Sequence, residues 1–234
     1  MCFLHLRKFS TVEYIPDSYF GGAAVSLNRT IYGRVEEVLR GDTLRVQHVP
    51  GYQVGRRNTN TLIPPESMED ETLVIRLHGI ESPDDEYEKD AAQDDNMVEK
   101  SKAFVQELVG GQMVQMTLLE KQRAANPSKN NSRNKTTTVL QAIAMVETIA
   151  LKQLGKDKET AGDLSVLLVR AGLADRCELP RASPETLKWK QKELLAAAVS
   201  AQKQKRGLYS IHRELSGKSL SQRDLSQRSL SQHN

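Results

Sequence analysis

The segment Thr72–Asp84 reads TLVIRLHGIESPD, and it decides both the fold and the candidate site. Its first part divides into two alternating sets, with Leu73, Ile75, Leu77 and Gly79 opposite Val74, Arg76, His78 and Ile80, and this period of two predicts a β-strand over Thr72–Ile80. Arg76 stands inside this apolar strand, and it needs a charged partner because burying an unpaired charge is very costly. The carboxylates of Glu81 and Asp84 follow directly. The sequence therefore predicts a strand that carries charged groups to its end.

A third carboxylate, Asp42, lies upstream in the turn Arg40-Gly41-Asp42 between two extended runs. Hard cations prefer carboxylate and carbonyl oxygens, so carboxylates from different strand ends can form one cation site. Three other interpretations stay open on spacing alone: Arg76 as the ion-pair partner of a strand carboxylate, Asp42 as a turn residue, and Asp84 as a helix cap. Alternation also places Arg76 and His78 on one face of the strand.

Outside this segment, four more stretches have strand-like alternation, and three have the apolar spacing of helices. The predicted strands are Ile31–Val38, Thr43–Val49, Met113–Leu119 and Thr137–Val146. The predicted helices lie near 97–109, 162–172 and 184–206. Gly172 stands where the second helix should end in a glycine cap, and Ser183-Pro184 begins the third. Five strands suit a small closed barrel, so the predicted fold class is α+β: a five-stranded β-barrel with three helices.

Composition divides the chain of 234 residues into three parts. Residues 1–30 are predicted to be an N-terminal extension, 31–210 one domain, and 211–234 a polar tail. A five-residue repeat occurs three times in 219–233, and it is predicted to be disordered because it cannot bury enough apolar surface. The segments 51–71 and 126–135, rich in turn-forming residues, are predicted loops.

Charge is distributed unevenly, although the formal net charge is only +3. Residues 81–95 contain eight acidic side chains and one lysine, whereas 121–135 contain five basic residues and no acidic one. Two such segments suit a site that binds a cation and an anion together, but a solvated basic loop has the same composition. The two cysteines, Cys2 and Cys177, exclude a disulfide framework and a zinc-ligand pattern. No apolar run reaches the ~18 residues that a membrane span needs.

Four motifs in register resemble the staphylococcal nuclease family. They are Gly41-Asp42-Thr43-Leu44, Ile75–Asp84, Leu168–Ala174 and Ala201–Ser210. The first two resemble the family's Gly-Asp-Thr and Arg-Leu-x-Gly-Ile-Asp-x-Pro-Glu, the third its Leu-Val-Arg-x-Gly-Leu-Ala, and the fourth the end of its last helix. Order and spacing match over about residues 31–210. The resemblance implies an oligonucleotide-binding (OB-fold-like) barrel.

Elements further upstream resemble the fungal mitochondrial-membrane probable endonucleases of this family. These elements are Ile15–Phe20, Tyr32–Val35 and Val46–Gly51. The resemblance implies a mitochondrial location, and a cytoplasmic one is the alternative. The fungal proteins have a membrane anchor before the first element, but only fourteen residues precede Ile15, so no such anchor is expected in this chain. A related animal group of membrane-linked proteins, not evidently catalytic, shares part of the pattern.

The family resemblance implies a calcium-dependent endonuclease that acts on single-stranded DNA or RNA as a monomer. By position, Asp42, Glu81 and the Ser82 carbonyl would hold Ca²⁺. Asp84 would stand where the family has its glutamate general base, and Arg76 would neutralise the phosphate. These roles are chemically coherent, since a cation polarises a phosphoryl oxygen and a planar guanidinium meets two phosphate oxygens at once.

Three departures set this chain apart from the family pattern. Glu81 replaces an aspartate and Asp84 replaces a glutamate, which moves each carboxylate by one methylene. The second catalytic arginine of the family falls on Thr138, so Arg133 or Arg123 becomes the candidate to reach the phosphate. Two functions from different classes are therefore carried forward: a weakened nuclease, and a binding module that keeps the barrel without turnover.

Overall fold

A computed structural model describes residues 8–21, 30–51, 67–83, 96–125, 138–148, 163–177 and 187–209. Strands and helices share these ranges, so the predicted α+β class is confirmed. The strands are β1 Ile31–Arg40, β2 Thr43–Val49, β3 Leu73–Leu77, β4 Ile80–Glu81, β5 Met113–Ala125, β6 Thr138–Thr148 and β7 Asp175–Arg176. The α-helices are α1 Met68–Glu71, α2 Met97–Val109, α3 Leu164–Ala171 and α4 Lys188–Lys203.

Five strands form one mixed sheet that closes into a ring in the order β1-β2-β3-β6-β5 and back to β1. All neighbours are antiparallel except β3 and β6, which run parallel. The second and third predicted strands, expected in one barrel, do share a sheet: in β2 and β3, Thr43 lies opposite Arg76 and Leu44 opposite Ile75. Apolar side chains from all five strands are fully buried in one core, as the period-two pattern requires.

The predicted strand Thr72–Ile80 is wrong in its last part. β3 ends at Leu77, and a turn follows in which Gly79 has φ +76°, a conformation that favours glycine. Beyond the turn, β4 leaves the ring and pairs with β7 in a separate two-stranded sheet. The alternation that predicted Arg76 and His78 on one face therefore does not continue past the end of β3.

Two other boundaries also differ from the prediction. β5 continues to Ala125, well past the predicted end at Leu119, because it stays paired with β6 along its whole length. The basic segment that begins at Lys121 thus starts inside a strand. In addition, the short helix Met68–Glu71 lies in the predicted loop 51–71, so the described ranges contain four α-helices where three were predicted.

The helix ends follow the local sequence closely. The Asp163 carboxylate accepts a hydrogen bond of 2.8 Å from the Ser165 amide and caps the start of α3. Gly172, at φ +74°, ends the same helix, which confirms the predicted glycine cap. It also lies against Gly207, where the Leu208 amide donates a 2.7 Å hydrogen bond to the Gly172 carbonyl. This contact fixes the end of α4 against the end of α3.

The segment 8–21 is packed into the same core as the sheet. Phe9, Val12, Ile15 and Tyr19 are all buried there. Lys121 of β5 holds the segment, donating hydrogen bonds of 2.7 Å to the Ile15 carbonyl and to the Asp17 carboxylate. These residues contribute to the domain core although they fall in the predicted extension 1–30. The predicted tail, 211–234, lies outside the described residues.

Within the described ranges, every helix is too short or too polar to cross a lipid bilayer.

Candidate functional site

Asp42 is a buried carboxylate at the tip of the β1–β2 turn, with only 3% of its side chain exposed. Its backbone carbonyl accepts a 2.8 Å hydrogen bond from the Leu77 amide, which fastens the turn to the end of β3. One carboxylate oxygen accepts a 2.9 Å hydrogen bond from the Thr43 hydroxyl. The backbone therefore fixes the position of Asp42, which is a turn residue with a buried carboxylate.

Two arginines flank the Asp42 carboxylate. Arg76 Nε lies 3.6 Å from Oδ2, and Arg40 Nε lies 4.0 Å from Oδ1. The Arg76 side chain is 31% exposed, so it combines a partner inside the protein with a surface open to solvent. A guanidinium has five N–H donors, and a single ion pair at this distance occupies few of them. Arg76 is thus in a position to bind a second anion while it stays paired with Asp42.

The turn before Asp42 is in close contact with α2. A Cβ atom on Gly41 would lie 1.7 Å from Ser101 Oγ and 3.1 Å from the Ser82 Cβ. No side chain fits there, so glycine at this position lets the turn, helix α2 and the end of β4 meet. The hydroxyls of Ser82 and Ser101 are both buried, and within the described part of the chain neither has a hydrogen-bond partner. Two buried polar atoms thus face the Gly41–Asp42 turn unsatisfied.

Glu81 enters the site from the small sheet beside the ring. It is paired in register with Asp175 of β7, so the two side chains leave the same face of the two strands. The Asp175 carboxylate accepts a 3.2 Å hydrogen bond from the Tyr209 hydroxyl. Burial, followed by the charge and hydrogen bond of Asp175, raises the pKa of Tyr209 well above its usual value, so the phenol stays protonated as the donor.

The electrostatics around Cys177 indicate that the charged groups of the site are close together. Its amide donates a 2.9 Å hydrogen bond to the Gly79 carbonyl, next to β4. Burial chiefly raises the pKa of the Cys177 thiol to about 12, with the negative charges of Glu81, Asp42 and Asp175 adding to the effect and Arg76 opposing it. Four charged side chains thus act on one sulfur. The thiol itself stays neutral and is not a nucleophile.

The predicted site residues divide into two groups. Asp42, Arg76, Glu81 and Ser82 lie around the β1–β2 turn and the end of β3, whereas Asp84 and Arg133 lie outside the described residues. Thr138 begins β6 at the far end of that strand's pairing with β5, opposite Ala125. Within the described ranges, no three His, Cys, Asp or Glu side chains form a group that could hold a metal ion by themselves.

Sequence reasoning missed the contribution of β7 and the segment after α4. Asp175 lies in a strand of only two residues, too short for any alternation to indicate it. Its place next to Glu81 depends on tertiary pairing. Tyr209 had a signal, the aromatic residue after Gly207, but nothing in the sequence predicted its hydrogen bond to Asp175.

His78 belongs to a second, buried polar cluster. Lys190 Nζ lies 2.8 Å from Asp163 Oδ1, and both side chains are almost completely buried, at 0% and 6% exposure. Burial lowers the pKa of His78 to about 4, with Asp163 opposing the shift and Lys190 adding to it. The charges of Asp163 and Lys190 therefore act on His78, two residues beyond Arg76, whereas Arg76 pairs with Asp42.

Comparison with known proteins found two relatives, both named as endonucleases. Endonuclease Htp3 of Saprolegnia parasitica is 32% identical over 121 residues, which are 50% of this chain and 52% of that protein. A probable endonuclease, lcl3 of Schizosaccharomyces japonicus, is 32% identical over 85 residues, 35% of this chain and 36% of that protein. No family model matches the chain. The chain thus spans about half the length of the first relative and about a third of the second, and these similarities support a nuclease-like family.

Proposed function

We propose that this protein is a metal-dependent nuclease that hydrolyses phosphodiester bonds of single-stranded DNA or RNA. The observation that carries the proposal is the pair formed by a buried Asp42 and a partly exposed Arg76. A planar guanidinium matches two phosphate oxygens, and its remaining donors give the site an anion-binding surface. The two endonuclease-named relatives support the same reaction class.

The proposal includes Ca²⁺ as the cation and a staphylococcal-nuclease-like, OB-fold-like arrangement of the closed sheet. Asp42, Glu81 and the Ser82 carbonyl offer only oxygen donors, the set that a hard cation takes. The buried Ser82 hydroxyl, which lacks a partner among the described residues, shows that polar capacity beside Asp42 is still unused. When bound, such a cation would supply polarisation of a phosphoryl oxygen.

The protein's own side chains are proposed to bind the phosphate, orient the attacking water and stabilise negative charge. Arg76 binds the phosphate and stays oriented by Asp42, at 3.6 Å. Asp84, two residues beyond Ser82, is proposed to orient the attacking water, and Arg133 to supply the second positive charge that Thr138 lacks. Loss of an arginine that stabilises transition-state charge costs on the order of 10³–10⁵ in rate in phosphoryl transfer, so turnover is expected to be slow.

A specific observation favours the alternative, a nucleic-acid or protein-binding module without turnover. Lys121, the first basic residue of the segment 121–135, is hydrogen-bonded to Ile15 and Asp17. It thus serves the packing of the N-terminal segment, which leaves fewer cations for a phosphate. Monomeric state and mitochondrial location, both implied by resemblance, belong to the proposal as well.

The test is cleavage of a short single-stranded DNA with Ca²⁺ and with the ion chelated. Arg76→Ala is expected to lower the rate by a factor on the order of 10³. Arg206→Ala, which removes an exposed arginine at the end of α4, is the matched control and should leave the rate unchanged. Salt-dependent binding without any cleavage by the wild type would favour the binding module. Absence of both binding and cleavage would refute the nuclease and the nucleic-acid-binding form of the alternative.

A further inference from the structure

Helix α4 has two apolar faces. The first is buried and packs toward α3 through Leu194, Ala197, Ala198 and Ala201. The second faces solvent and contains Trp189, Leu195 and Val199, which are 47%, 48% and 41% exposed. Among the described residues, only Tyr14 is another large hydrophobic side chain with comparable exposure. One surface helix therefore exposes three of these four side chains.

Helical geometry places the exposed apolar residues on one stripe. At about 100° per residue, seven positions fall within an arc of about 120° on the side away from the buried face. They are Lys188, Trp189, Lys192, Leu195, Ala196, Val199 and Lys203, all of them exposed. The arc contains no acidic residue, since Glu193 lies about 40° beyond Trp189. The stripe, hereafter the outer face of α4, is both apolar and positively charged.

We propose that the outer face of α4 binds an anionic lipid surface, a function separate from the proposed nuclease site. Aliphatic side chains and an indole enter the headgroup boundary, and lysines keep their ammonium groups at anionic headgroups while their stems lie along the apolar surface. This partner contacts both the apolar and the cationic side chains of the outer face of α4. The charge complementarity is the argument for an anionic surface over a neutral one.

Two other partners fit the outer face less well. A second copy of the chain in a two-fold contact would bring the same face against itself, and the lysines of both copies would meet like charges. A nucleic-acid strand would use the lysines and could stack a base on the indole, but it would leave Leu195 and Val199 without a matching surface. Of these three partners, only the lipid surface satisfies the aliphatic and the cationic residues together.

The sequence provides its own reporter, because Trp189 is the only tryptophan among the 234 residues. The full-length protein is titrated with vesicles of phosphatidylcholine containing about a third phosphatidylglycerol, and with phosphatidylcholine alone. We expect the anionic vesicles to shift the tryptophan emission to shorter wavelength and to protect it from aqueous acrylamide. Each lysine near an anionic membrane contributes about fivefold in affinity, so the loss of the contributions of Lys192 and Lys203 alone should make neutral vesicles bind about 25-fold more weakly.

Two variants test the two halves of the face. Lys192→Gln with Lys203→Gln should weaken binding about 25-fold, whereas Lys100→Gln with Lys102→Gln on α2 removes the same charge elsewhere and should have little effect. Leu195→Ser with Val199→Ser should weaken binding on the order of tenfold with all lysines present. Because none of these side chains is buried, circular dichroism should show an unchanged fold.

The proposal is overturned if anionic vesicles leave the emission unchanged, or if both lysine pairs have equal effects. An emission shift caused by a single-stranded oligonucleotide and not by vesicles would assign the face to nucleic acid. A shift that depends on protein concentration without vesicles would assign it to a second copy. Each of these results contradicts the lipid proposal, and none depends on nuclease activity.

Discussion

Acidification should loosen the N-terminal segment from the sheet by protonating His48. The Phe9 amide donates a 3.0 Å hydrogen bond to His48 Nδ1, and the two rings lie 4.8 Å apart. That hydrogen bond requires an unprotonated nitrogen. Burial chiefly lowers the pKa of His48 to about 4, and the charge of Lys8 contributes in the same direction. The folded protein therefore holds this histidine neutral at pH values where an unfolded chain protonates it.

The magnitude follows from the two pKa values, 6.5 in the unfolded chain and about 4 when folded. At about 1.4 kcal/mol per pKa unit, neutral His48 contributes about 3 kcal/mol of stability. Because the folded pKa is the lower one, this stability is complete above pH 6.5 and is lost as the pH falls toward 4. At pH 5 the loss should be about 2 kcal/mol. His78, whose pKa is also lowered to about 4, adds a second contribution of the same sign.

Urea unfolding of the wild type and of His48→Asn between pH 7.5 and 4.5 measures the effect. The asparagine carbonyl oxygen can still accept from the Phe9 amide, but it does not titrate. The stability difference between the two proteins should change by about 1.4 kcal/mol per pH unit below pH 6.5. The protection factor of the Phe9 amide, the exchange rate of an unfolded chain at the same pH divided by the observed rate, should fall over this range in the wild type only. A stability difference that is independent of pH would refute the reasoning.

Two further changes test the packing of α3 and α4. Lys190→Met leaves Asp163 buried without its partner at 2.8 Å, so it should lower the free energy of unfolding by about 3–5 kcal/mol. The control Lys192→Met changes an exposed side chain and should alter this free energy by less than about 0.5 kcal/mol. Equal effects of the two changes in urea unfolding would contradict the buried pair. Gly172→Ala puts a Cβ 2.2 Å from the Arg206 carbonyl oxygen, whereas Gly111→Ala, at a similar positive φ, meets no atom within 4 Å. The Gly111 change should lower the free energy of unfolding by about 1 kcal/mol and the Gly172 change by clearly more. Similar losses would contradict the close approach of Gly172 to the Arg206 carbonyl.

Local sequence patterns predicted most of the framework. Period-two alternation identified the five strands of the ring, and the apolar spacing with Gly172 identified α3 and its end. The prediction was wrong where tertiary pairing overrides the local pattern. The continued pairing with β6 extends β5 to Ala125, and the turn at Gly79 ends β3 early although apolar residues continue beyond it.

The candidate site was predictable only in part. Asp42 and Arg76 carried signals, a carboxylate after a turn glycine and a charge inside an apolar strand, and the structure brings them within 3.6 Å. Asp175 carried none, because its position beside Glu81 arises from a ladder of two residues between segments far apart in the chain. The predictions for Asp84 and Arg133 stay predictions, since both lie outside the described residues.

Closure of the strand ring also determines when the chain can complete its folding during synthesis. Strands β1, β2 and β3 leave the ribosome first, and their outer edges stay unpaired until β5 and β6 have been made. The N-terminal segment also cannot be fixed to the sheet before β5 has been made, because Lys121, which holds it, follows Ile15 by 106 positions. Such non-local contacts form slowly, and exposed strand edges invite pairing with other chains in the meantime. The nascent protein should therefore depend on protection of these edges until the second half of the ring has emerged.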